Sequence, residues 1–413
     1  MRYSFLPALL AAAGIGLPTT ALADPMTYTD ALTRAAANAP SLKARAASTD
    51  AARSSAIAAD RLPDPTLDLG VAGFPVTGPN AGSFSRDDFT MATIGISQQF
   101  PNLAKRHARA ARASAEIGIA KAGEQVETRN IQLETALAWI DLHYGERRLA
   151  QLDLLDASLD DLQKTVTARL ASGAARPSQA LEPEQLRAAV VDRRAEMAAV
   201  ITQARARLVR YTGDPNPEVT GDPPNPTVDP VQLRAGIETL PALRALDAAT
   251  TAADADIGLA RAGKRPDWRI SASYGRRDSR FGDLASVGVS IDLPLFAGKR
   301  QDPKIAASAS MAERARLDRE AGKRALIAAL DSDLADHDMH HERLRNARAT
   351  LVPLAKHRAE LDRDSYAAGK TDLGTALLST LALAEAEVEM LNREADVARD
   401  AVRIVTTYGE VRP

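Results

Sequence analysis

"MATIGISQQFPNLAKR" (91–106) and "LASVGVSIDLPLFAGKR" (284–300) are one pattern written twice, starting 193 residues apart. Both alternate apolar with small or polar residues, which in an extended chain sends the two kinds to opposite faces. Both then reach a proline (Pro101, Pro294), a residue that cannot donate to a strand ladder. Both continue into a Lys-Arg pair that opens an Ala-rich stretch, the second copy with one extra glycine. A chain that repeats its strand-to-helix junction is built from two similar halves.

Outward from these junctions the rest of each half follows. "WRISASY" sets Trp268, Ile270, Ala272 and Tyr274 against Arg269, Ser271 and Ser273. "VGVSIDL" sets Val287, Val289, Ile291 and Leu293 against Gly288, Ser290 and Asp292, and "TLDLGVAGF" sets Leu67, Leu69 and Val71 against Asp68, Gly70 and Ala72. The alternation predicts four strands, at about 66–74, 89–99, 267–275 and 284–293. Proline-free sequence from 102 to 172 predicts one long helix, with Leu152, Leu155, Leu159, Leu162 and Val166 at coiled-coil spacing. "SGAARPSQ" (172–179) breaks it before a return helix. The second half repeats the plan: a long helix over 303–367, a break at "AAGKTDLG" (367–374), and a last helix. That helix has a seam, Leu377 to Val405, alternating steps of four and three. Gly173 and Gly369 are 196 positions apart, as are Gly213 and Gly409.

The expected organisation is an export leader over 1–23, a first repeat over 24–212, a Pro-rich linker over 213–230 and a second repeat over 231–409. The leader reading rests on Arg2, the apolar run from Phe5 to Leu17 and the small-x-small "ALA" before Asp24. No later stretch has the roughly 20 apolar residues of a spanning helix. The 413 residues carry no cysteine, which excludes disulfides and thiol chemistry. A net charge of −2 gives nucleic acid no basic surface to grip. Aromatics are 4% against 45% apolar residues, a content of Ala, Leu and Val suited to close-packed helices.

Four strands of about ten residues, apolar on one face, suit an outer-membrane wall. They cannot close a barrel alone, and an open edge in lipid leaves backbone groups unpaired. Three copies would supply twelve strands around a water-filled lumen. In that homotrimer Arg269, Ser271, Ser273, Ser290 and Asp292 face the lumen, while Ile270, Ala272, Val287, Val289 and Ile291 face outer-membrane lipid. The alternation alone also admits a soluble sheet in an exported periplasmic coiled-coil protein, structural or chaperone-like, without a barrel.

In the order of its elements, its duplicated halves and three stretches, the chain resembles the TolC-type outer-membrane efflux factors. The stretches are "ISQQFPNLAKR" (96–106), "RLASGAARPSQALEPE" (169–184) and "YAAGKTDLGTALLSTLALAEAE" (366–387). The first is similar to the heavy-metal branch, the CusC and CzcC-like ducts. The resemblance implies a mainly α protein with a small β part: a trimeric 12-stranded outer-membrane β-barrel, four strands per chain, continued by a long α-helical periplasmic tunnel. It implies an exit duct, not an enzyme, that passively conducts substrates, heavy-metal cations among them. Its implied partners are a periplasmic adaptor and an inner-membrane pump of RND type. The chain departs from relatives that carry a lipidated cysteine, and it offers Asp372 as the only acid near its second break where some relatives ring a closed aperture with carboxylates.

Two further groups are candidates. The breaks, with Gly173, Arg176, Gly369, Lys370 and Asp372, would form the periplasmic tip and adaptor contact, against the plainer reading of solvated turns. "DHDMHHE" (336–342) places His337, His340 and His341 on one helix face with Asp333 and Asp336 near, a spacing that suits zinc, cobalt or copper(II). His337 and His341 also continue the seam of Leu330, Leu334 and Leu344, so packing between helices is the plainer reading of them. No P-loop, G-x-S-x-G or H-E-x-x-H occurs, and no cofactor is expected.

Overall fold

The computed structural model describes residues 25–409; the leader assigned to 1–23 lies outside the described residues. Strands β1 (Thr66–Ala72), β2 (Met91–Phe100), β3 (Asp267–Arg276) and β4 (Leu284–Asp292) form one antiparallel sheet in the order β1-β2-β3-β4. The two halves meet at its centre, where Phe100 pairs with Trp268 and Gln99 with Arg269. Strand β1 stops two residues short of the sequence expectation. Gly73 turns the chain at φ 68°, and a Cβ there would sit 2.2 Å from the Phe89 carbonyl oxygen, so the strand has to end.

Among the described residues nine α-helices carry the rest: α1 (Tyr28–Asn38), α2 (Pro40–Ala58), α3 (Leu103–Ala171), α4 (Glu182–Thr212), α5 (Pro230–Gly236), α6 (Pro241–Ala262), α7 (Ala297–Asn346), α8 (Val352–Ala367) and α9 (Leu373–Tyr408). The 69 residues of α3 run about 100 Å at 1.5 Å per residue. Asn102 starts it by accepting from the Lys105 amide at 2.8 Å. The second long helix differs from the unbroken 303–367 that the sequence suggested. It begins earlier, at Ala297, with Pro303 inside it. It is then interrupted by a π-helical turn over Ala347–Leu351 just ahead of Pro353. Proline has no N–H to return to the carbonyl four residues back, and a wider turn is one way to absorb that loss.

Away from the sheet, α3 packs against α6, α4, α9 and α2, and α9 in turn packs against α7 and α8. The leucine seam of α3 is buried in full and meets Leu373, Ala376, Leu377 and Ala384 of α9. The expected coiled-coil seams therefore face each other across the two halves. Nearer the middle, Trp139 is completely buried and donates from Nε1 to the Met26 carbonyl at 3.1 Å. Met26 also bridges to Val219 in the 213–230 segment, which straps the start of the described chain to the link between halves. Among the described residues no helix is long and apolar enough to cross a membrane.

Candidate functional sites: wall, tip and histidine cluster

In an antiparallel ladder, residues directly opposite share a face. The register pairs Ile270 with Val289, Ala272 with Val287 and Trp268 with Ile291. It also pairs Ile94 with Tyr274 and Leu69, and Ile96 with Ala272 and Leu67. One face of the whole sheet is thus apolar, and it is bare: Leu69 is 71% exposed, Val287 80% and Val289 61%. The opposite face collects Arg269 with Ser290, Ser271 with Gly288, and Ser273 with Ser286. Asp292 pairs with Asp267 on that same face. All five residues assigned from the sequence to a lumen therefore share one face, and the five assigned to lipid share the other.

At the far end of the helices, the two breaks are built alike. Gly173 and Gly369 take φ 72° and 74°, the left-handed conformation in which glycine has no Cβ penalty. After α3 the Gly173 amide returns to the Leu170 carbonyl and the Ala174 amide to that of Arg169; after α8 the Gly369 amide returns to Tyr366 and the Lys370 amide to Ser365. These paired bonds close both helix ends. The parallel fails at the other recurring glycines. Gly213 is left-handed at φ 74°, whereas Gly409 lies at φ −76° and is extended.

The breaks lie side by side because one arginine joins them. Arg169 donates from Nη1 to the Tyr366 carbonyl, and its guanidinium lies 4.6 Å from the centre of the Tyr366 ring. Tyr366 itself is 2% exposed. Sequence reasoning passed over this pair, although Arg169 and Tyr366 are the first residues of the two quoted break stretches. The available signal was a cation in the last turn of a helix, opposite an aromatic in the matching turn. Arg176 and Lys370 are exposed at the same end.

Asp372 has a different task from the surface contact expected of it. It caps α9, accepting from the Thr375 amide at 3.0 Å and the Thr375 hydroxyl at 2.8 Å. Those bonds, the backbone one foremost, hold its carboxyl below the ordinary 3.8. A carboxyl depressed by folding contributes its stabilisation above the unfolded pKa and loses it as pH falls through the folded value. We therefore expect the first turn of α9 to loosen only below about pH 4. Hydrogen exchange at the Thr375 amide checks this. Asp372→Asn should keep the cap and remove the pH dependence; an unchanged pH profile in that variant would refute the assignment.

The histidines do not converge. His340 points Nδ1 at Asp400 Oδ2 on α9, 2.6 Å away. His337 is 7% exposed and lies edge-to-face with His341, ring centres 4.5 Å apart. Asp333 accepts from the Tyr408 hydroxyl at 2.8 Å. Burial, with His341 beside it, pushes the His337 imidazole below its ordinary 6.5. Among the described residues no three His, Asp or Glu side chains are placed to hold a metal. The metal site suggested for His337, His340 and His341 is corrected to helix packing plus a cross-helix polar contact, because His340 turns to Asp400 while the His337 ring packs edge-to-face on His341.

Residues 237–410 match the family described as outer membrane efflux protein. This part of the chain is an outer membrane efflux protein domain. The efflux-protein fold continues through the other half. The solved structure of CusC, described by its folding and transmembrane channel formation, superposes with a TM-score of 0.81 at 13% identity, covering 92% of each chain. A membrane protein from Pseudomonas aeruginosa gives 0.80 at 17%, covering 92% of this chain and 93% of that one. VceC, an outer membrane protein of Vibrio cholerae, gives 0.76 at 16%, covering 92% and 96%. At such identities the likeness is one of fold. No curated protein sequence matches the chain. Efflux proteins of this family are outer-membrane channels and not enzymes. The soluble coiled-coil reading is set aside with that match.

Proposed function

We propose that three copies of the chain form an exit duct through the outer membrane, each giving four strands to a twelve-stranded barrel and its helices to a periplasmic tunnel. The observation that carries this reading is the sheet. Its apolar face is bare, and its outer strands β1 and β4 are exposed along their whole length. Lipid covers the face, but an open edge in lipid costs several kcal/mol for each unpaired backbone group. Further copies remove the edges. Arg269, Ser271, Ser273, Ser290 and Asp292 then line a wet lumen.

The breaks at Gly173 and Gly369 form the periplasmic tip in this reading. Arg176 and Lys370 offer cations there to an adaptor that joins the duct to an inner-membrane pump, for which we propose the RND type. In this reading conduction is passive, the driving force coming from the pump. Divalent heavy-metal cations, implied by the sequence resemblance, are one cargo to assay, carried without a resident metal site. The mass of the detergent-solubilised full chain tests the assembly. We expect three chains per particle; a β-rich monomer refutes it.

A further inference from the structure

At the centre of the sheet the two halves are locked by a carboxylate. Asp267, at the start of β3, is 8% exposed. Its Oδ1 accepts from the Asn102 amide at 2.8 Å and from Asn102 Nδ2 at 2.9 Å, and its Oδ2 accepts from Lys105 Nζ at 2.6 Å. The donors all come from the start of α3, directly after β2. The lock therefore joins the end of one strand to the beginning of its neighbour.

The sequence writes both parts of this lock twice. Asp267 in "KRPDW" (264–268) has its counterpart in Asp64 of "RLPDP" (61–65), and Lys105-Arg106 has its counterpart in Lys299-Arg300. The second set is split. Asp64 precedes β1 and Lys299 follows β4, so the two stand at opposite edges of the sheet. Both are exposed, and among the described residues neither has an ion-pair partner. Asn102 has no functional counterpart, since Leu295 stands in its place and α7 lacks a side-chain cap. Lys299 is then the one donor left to repeat the lock.

We infer that Lys299 of one copy pairs with Asp64 of the next, and that β4 docks on the next copy's β1 in the register β2 uses on β3. The inference rests on the trimeric reading above and goes beyond it by fixing residues and register. Transferring the central pairing through the two sequence alignments sets Ile291 opposite Leu67, Val289 opposite Leu69 and Val287 opposite Val71 of the next copy. It sets Ser290 opposite Asp68, and Gly288 opposite Gly70. Every apolar residue meets an apolar one, although the transfer used only the proline and aspartate positions. A slip of one residue would set Val289 opposite Asp68 and mix the faces. The joint between copies thus repeats the joint inside each copy, which lets a ring of similar joints close without a special seam.

The absence of cysteine makes the test clean, because introduced pairs have no competitors. Full-length chain carrying Val289→Cys and Leu69→Cys, oxidised in outer membranes, should give linked dimers and trimers that reductant dissolves. Val289→Cys with Leu67→Cys should not link, because diagonal neighbours about 7–8 Å apart exceed disulfide reach. Separately, Lys299→Asp or Asp64→Lys alone should lower trimer yield about tenfold, and the two together should restore it. A trimeric parent that links the displaced pair, or whose charge reversals do not rescue each other, overturns the register and the ion pair while leaving the trimer standing. A parent that is not trimeric by mass overturns the reading beneath them.

Discussion

Arginine in place of Val289 should abolish assembly in the outer membrane, while arginine in place of Ser273 should leave it standing. The two positions lie in adjacent strands on opposite faces, three residues apart along the ladder. Val289 shares the apolar face with Ile270, opposite it, and with Ile291 and Val287 on its own strand. A guanidinium on the lipid side of a barrel costs roughly 2–4 kcal/mol near the bilayer midplane. Each of three copies would carry that cost, against a folding free energy of about 5–15 kcal/mol for a typical domain. Ser273 is on the other face, between Gly95 and Ser286, where small neighbours leave room for a long side chain. Its arginine would reach water in the lumen, and the expected change is in conductance and ion preference. Heat-resistant trimer on a gel reads assembly, and single-channel recording reads conduction. Equal assembly of the two variants would mean that the sheet does not present these faces to lipid and water.

The faces were legible because strand periodicity is two: alternation in "WRISASY" and "VGVSIDL" assigns every side chain once the segment is extended. The helical seams were legible for the same kind of reason, and Leu152 to Val166 and Leu377 to Val402 are buried or half-buried along their length. What the sequence hid is where a local pattern has two physical outcomes. His337, His340 and His341 share a helix face whether they hold a metal or pack, and only the position of Asp400, sixty residues away, decides where His340 points. The π-turn at Ala347–Leu351 is hidden too, since Pro303 sits in the same helix without one. Asp372 read as a surface acid because its partners are the first amides of its own helix, and those exist only once the helix has formed. The tip clamp was missed because it joins residues 197 positions apart, beyond any local periodicity.

That clamp gives the other large effect: Arg169→Ala should open the tip. Arg169 is the side chain that reaches from the α3 break to the α8 break, and it holds a backbone carbonyl, not a side chain, so no rotation of Tyr366 alone releases it. The stacked ring, 4.6 Å from the guanidinium, fixes its orientation. A hydrogen bond to a charged group contributes roughly 1.5–3 kcal/mol, and half-exposure places this one at the lower end. Losing about 1.5 kcal/mol per copy shifts each tip about tenfold toward its unclamped form. Because three tips would meet at one aperture, conductance should rise by more than one tip's share. Lysine at 169 should restore part of the closure, since it keeps the charge but loses the planar fork and the stack. The strands lie at the far end of α3, about 100 Å away, so trimer yield and β signal should stay at parental levels. Planar-bilayer recordings of parent, Arg169→Ala and Arg169→Lys decide the matter. Parental conductance in the alanine variant, with trimers intact, would show that Arg169 braces the turn without closing the duct.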